Sequence, residues 1–111
     1  MSRPFELHKP AEVLARSPAG ENYLEFLRVP ALSAGIYRLA AGSEDRQRPH
    51  QEDEIYVVLE GRARFRAGDR DCVLSGGEVL YVAAGLEHRF HDITADLTLL
   101  VLFAPAESAP A

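Results

Sequence analysis

The sequence predicts an all-β fold, a sandwich or barrel built as one domain. Its 111 residues match the commonest size of a single domain and leave no room for a second core. With 47% hydrophobic and 26% charged residues, it has the balance of an ordinary globular chain rather than a disordered one. Short apolar or alternating runs are separated by glycine and proline turns about every ten residues, the pattern of antiparallel β proteins.

The elements follow in order. Residues 1–20 form an N-terminal extension with one short helix expected at 10–16. Pro10 suits a first helical turn, and Ser17-Pro18-Ala19-Gly20 stops the helix. Strands are expected at 23–29, 32–39, 54–59, 62–67, 72–74, 79–82, 88–91 and 97–103, so the β domain occupies 21–104. A tight hairpin at Glu60-Gly61 would set Val57 against Arg64 and turn Glu54, Tyr56 and Val58 to the same side as Ala63, Phe65 and Ala67. Ile55, Val57 and Leu59 then take the other side beside Arg62, Arg64 and Arg66. That strand is apolar on both faces and needs cover on both. The small, proline-bearing stretch 105–111 reads as a flexible tail.

Composition excludes several classes of function. The longest apolar run, 97–104, is less than half of the roughly 20 residues a membrane helix needs. Pro4 and Glu6 stand where a signal peptide would be apolar, so a cytoplasmic protein is expected. Cys72 is the one cysteine, which excludes an intrachain disulfide and zinc sites built from several thiolates. The net charge is -5, and the arginines are scattered among seventeen acidic residues. No basic block is left for a nucleic-acid backbone, and neither nucleic acid nor membrane is an expected partner.

Metal-binding chemistry concentrates in two stretches. In the first, 42–61, residues two apart in an extended chain share a face, so His50, Glu52 and Glu54 offer one nitrogen and two oxygen donors to one side, with Tyr56 next along. In the second, 76–92, a strand and a glycine turn lead to His88, which the turn would aim into a barrel mouth. His91, three residues later, points away from it.

Together the stretches resemble the two sequence boxes of the cupin superfamily, in the expected order and with the expected gap. His50, Glu54 and Gly61 fall on the last positions of the first box. Gly77, Gly85 and His88 fit the second, with Ala83 in place of its proline and Asp92 in place of its asparagine. The resemblance implies a jelly-roll β-barrel and a metal ion held by His50, Glu54 and His88. It also makes a homodimer the expected assembly. The position of the first family histidine is Arg48, whose guanidinium has no lone pair to donate. Three consequences stay open: Glu52 joins the ligands, water fills the gap, or the site binds no metal. Arg48 is then a candidate clamp for an anionic group of the substrate.

Two imidazoles and a carboxylate suit zinc, iron, manganese, nickel or cobalt better than calcium or magnesium. The same set matches the facial triad of non-haem iron oxygenases. Cupins of similar size resemble oxygenases, isomerases and cyclases, and also non-catalytic modules that hold a small ligand. In the enzyme reading Glu54 is the candidate base and Tyr56 a candidate catalytic group. Arg48, Tyr56 and Phe65 are the candidate residues for binding a small organic molecule.

Overall fold

The computed structural model describes residues 4–16, 22–46 and 49–108. Helix α1 (Pro10–Ala15) is followed by strands β1 (Tyr23–Val29), β2 (Leu32–Leu39), β3 (Asp53–Ala67), β4 (Arg70–Ser75), β5 (Val79–Val82) and β6 (His88–Ala104). All pairings are antiparallel. The strand order is β1-β2-β6-β3-β4, with β5 on the same strand, β3. No helix of the described residues is long and apolar enough to cross a membrane.

The expected stretches fuse into fewer, longer strands. Residues 54–59 and 62–67 belong to one strand, β3, and residues 88–91 and 97–103 to another, β6. The expected hairpin at Glu60-Gly61 is therefore absent: Gly61 is a bend inside β3. Its φ is +105°, and a Cβ there would collide with the backbone carbonyl of Asp96 on β6. Only glycine fits that approach.

The bend reverses the inward face of the strand. Register slips between Val58 and Arg64, and a one-residue slip turns every later side chain to the other side. Even-numbered Glu54, Tyr56 and Val58 are buried before the slip, and odd-numbered Ala63 and Phe65 after it. The expected grouping of these residues on one face thus holds, by a bulge rather than a turn. In β6 the same switch occurs around Asp92, at φ 46°. His88 and Phe90 are buried before it, and Ile93, Leu97, Leu99, Val101 and Phe103 after it.

Both long strands fold back on themselves. His88 pairs with Ala67 at the end of β3, yet its imidazole reaches Glu54, near the start of β3, at 2.8 Å. The two ends of β3 therefore meet at one mouth, and the bends lie at the far end. Six strands so supply the eight arms of a jelly-roll barrel. The main core includes Leu39, Val58, Phe65, Phe90, Leu97 and Leu99, each large side chain contributing about 1.5–3 kcal/mol by burial.

The outer face is covered unevenly. Helix α1 packs on β2 and buries Val13 completely. On β3 and β5, Ile55 faces Tyr81 across the sheet and Val57 faces Val79. Tyr81 and Val79 are 61% and 66% exposed, and Ile55 and Leu59 are exposed as well.

Candidate metal centre and pocket

The turn of the second sequence box carries the first box with it. Gly85, at φ 78°, donates its N–H to the carbonyl of His50 at 2.7 Å. The N–H of Ala84 bonds Asp53 Oδ1 at 2.9 Å. These bonds join the segment before β3 to the segment before β6, so His50, Glu54 and His88 are set by one backbone arrangement.

One donor atom from each of His50, Glu54 and His88 lies within 4.8 Å of the others. His88 donates its Nδ1–H to the Leu86 carbonyl at 2.8 Å, which fixes the tautomer and turns Nε2 inward. Such a backbone bond is the usual support of a ligating histidine. At Nε2 the imidazole meets Glu54 Oε1 at 2.8 Å and the Tyr56 hydroxyl at 3.1 Å. Burial pushes the His88 imidazole down, but the Glu54 carboxylate and the Leu86 carbonyl outweigh it, and its pKa stands above the ordinary value.

Glu54 is only 2% exposed, and no hydrogen bond of good geometry reaches either of its oxygens among the described residues. A buried carboxylate in that condition is costly unless paired or bound to a cation. His88 supplies part of that pairing, and the rest of the coordination space opens toward His50. The donor set therefore fits a divalent transition metal.

The other residues singled out in the sequence fall differently. Tyr56 is fully buried and lines a cavity beside the cluster. Phe65 packs in tilted contacts, ring centres 5.8 Å from His88 and 5.0 Å from Phe90, as part of the core beneath the site. Glu52 is buried, but its carboxylate accepts bonds from the backbone and hydroxyl of Ser108 and stands apart from the three-residue cluster. Strand alternation does not reach it, because β3 begins at Asp53. Arg48 lies outside the described residues. His91 faces outward, bonded to Asp71 at 2.7 Å.

Four residues of the site carried no sequence signal. Asp45, in the loop after β2, is buried and accepts bonds from the Tyr37 hydroxyl at 2.8 Å and the Phe90 N–H at 2.9 Å. Burial, with Asp45 beside it, raises the Tyr37 phenol well above its ordinary pKa. Glu107 approaches His50 Nδ1 at 3.3 Å, and burial raises its carboxyl. It is held there by its own N–H on Ser33 and by Arg28 on its carbonyl, so residues 106–108 strap the side of the barrel. Tyr23 is the fourth, its ring lying over Gly35, where a Cβ would collide with it.

Tyr23, Tyr37 and Glu107, with His50, Tyr56 and Phe103, line a half-open cavity of about 230 Å³. A wider cleft of about 650 Å³ reaches His88 from outside, past Arg46, Arg66 and Arg89.

A small jelly-roll barrel with imidazole and carboxylate donors at its mouth is the class that fold and site define. The chain belongs to the cupin family, whose domain model matches residues 35–104. It is similar to the uncharacterized protein SCO3923 of Streptomyces coelicolor, at 48% identity over 86 residues, 78% of this chain and 82% of that one. Among solved structures, a Rhizobium leguminosarum protein of unknown function superposes with a TM-score of 0.78 at 20% identity, over 93% of this chain and 99% of the other. The DMSP lyase DddQ of Ruegeria pomeroyi superposes with a TM-score of 0.67 at 22% identity, over 80% of this chain and 51% of DddQ. At such identities the likeness speaks for the fold alone.

Proposed function

We propose that this cupin is a metal-dependent enzyme in which His50, Glu54 and His88 hold a divalent transition metal and the adjoining cavity takes a small organic molecule. The observation that carries the reading is the Glu54 carboxylate, buried among His50 and His88 with no well-formed hydrogen bond on its oxygens. A bound divalent ion would supply Lewis acidity, polarising an oxygen of the substrate. Tyr56 contributes its ring to the cavity wall against which that substrate packs. DddQ, whose fold is similar, is a lyase by name, and the enzyme reading is in keeping with that.

The test is elemental analysis of protein purified without a tag. We expect about one equivalent of zinc, iron, manganese, nickel or cobalt, absent from the His88→Ala variant. Less than about half an equivalent, with no uptake on reconstitution, would sink the metal reading.

A non-catalytic ligand-binding module is the second reading. The Tyr56 hydroxyl lies 3.1 Å from His88 Nε2 and so competes for the lone pair that a metal needs. It is the reading left standing if no metal is found.

The exposed apolar residues on β3 and β5 support the homodimer. Tyr81, Val79, Ile55 and Leu59 form an unpartnered sheet face, and a second copy laid against it would supply the outer cover this strand lacks. Light scattering should give twice the monomer mass for the wild type and the monomer mass for Tyr81→Glu. A monomeric wild type would contradict the assignment.

A further inference from the structure

The cavity beside His50 holds one polar group that nothing in the fold employs. The Tyr23 hydroxyl is buried and has no hydrogen-bond partner among the described residues. Leaving such a group unpaired costs about 1–3 kcal/mol, yet the chain is shaped to keep it there. The ring crosses β2 over Gly35, the residue whose missing side chain makes the space, and packs edge-on against Tyr37 and Phe103. The neighbouring hydroxyls are committed, Tyr37 to Asp45 and Tyr56 to His88. Tyr23 alone among the three is left to address a guest.

The charge around the cavity bounds what that guest can be. Glu107 lines it and Glu54 lies close by, whereas no lysine or arginine among the described residues does. An organic anion would meet two carboxylates. An organic cation would gain from the tyrosine and phenylalanine faces but would have to compete with a bound metal for Glu54, so it is the rival guest that the titration must exclude. At about 230 Å³ the space falls below the roughly 300–1,000 Å³ of pockets for drug-sized ligands.

We infer that the cavity binds a small uncharged cyclic or aromatic molecule through a hydroxyl or carbonyl oxygen anchored on the Tyr23 hydroxyl. The inference rests on the small-molecule reading of the barrel mouth and names the class of ligand. The aromatic walls hold the body of the ligand, and Tyr23 fixes the orientation of its oxygen.

Calorimetric titration with phenol, benzoate and cyclohexylamine tests it, on protein whose metal content has first been measured. Phenol should bind saturably and at least about tenfold more tightly than the charged probes. Tyr23→Phe should weaken phenol binding about fivefold to tenfold, keep the same metal content, and melt at the wild-type temperature or above, since only an unpaired hydroxyl is removed. Phenol that fails to bind, cyclohexylamine that binds as tightly, benzoate that binds as tightly (the outcome a clamp at Arg48 would produce), or a Tyr23→Phe variant that holds phenol undiminished or melts lower would each overturn it. Metal content reads out separately, so phenol binding by metal-free protein would refute the metal and leave this inference standing.

Discussion

The two ends of the barrel are made from the same two strands and are held by opposite means. At the far end, β3 and β6 bend at Gly61 and Asp92, both at positive φ, and Ala63, Ile93 and Leu97 fill the space between with apolar side chains. At the mouth the strand ends carry Glu54 and His88, with Asp45 beside them, all buried. Backbone geometry and apolar packing close the first end. The second keeps polar groups out of water, which costs stability that a fold alone would not spend. Such a contrast within one sheet is what supports placing the proposed site at the mouth and the architecture at the bends.

If that division is right, the largest loss of stability comes from the far end. Gly61→Ala places a Cβ against the Asp96 carbonyl at a φ unsuited to alanine, and should cost on the order of 2–5 kcal/mol in denaturant unfolding. A change below about 0.5 kcal/mol would mean that β6 yields easily and that the bend is not what holds this end.

Asp45→Ala probes the supports of the mouth. It strips the acceptor from both the Tyr37 hydroxyl and the Phe90 N–H, and a loss of about 2 kcal/mol is expected. An unchanged midpoint would show that water replaces the carboxylate freely. The smallest effect is expected at the carboxylate of the proposed site. In metal-free protein at alkaline pH, where the His88 imidazole beside it is neutral and no ion pair is lost, Glu54→Gln should stay within about 1 kcal/mol of wild type or exceed it, because it relieves a buried charge while keeping its volume. A large loss there would erase the distinction between the two ends.

The sequence made the fold and the candidate site legible to different depths. Apolar and alternating runs located a part of every strand, because a half-buried strand writes a period of two into its residues, but they left out residues 92–96, which belong to β6. They did not tell a turn from a bulge at Gly61, since both place glycine between two apolar runs and both leave Val58 and Ala63 on one face. His50, Glu54 and His88 were legible through the motifs that surround them. Glu52 was paired with them by extending strand parity across residues that precede β3, and the actual backbone turns it toward Ser108. Asp45, Tyr23 and Glu107 left no signature. Asp45 lies forty-five residues from the Phe90 N–H it accepts, and Glu107 reaches His50 from a small, polar tail that composition does not distinguish from a loose end. Contacts of that kind come from closure of the barrel, which no local window contains.

The central claim is that His50, Glu54 and His88 form one coordination site at the mouth. The most direct measurement is the visible absorption of cobalt-loaded protein, whose ligand-field bands report the donors around the ion. The bands should be lost or displaced in His50→Ala, Glu54→Gln and His88→Ala and unchanged in Glu52→Gln. Bands that persist in any of the first three variants, or that vanish with Glu52, would contradict the assignment.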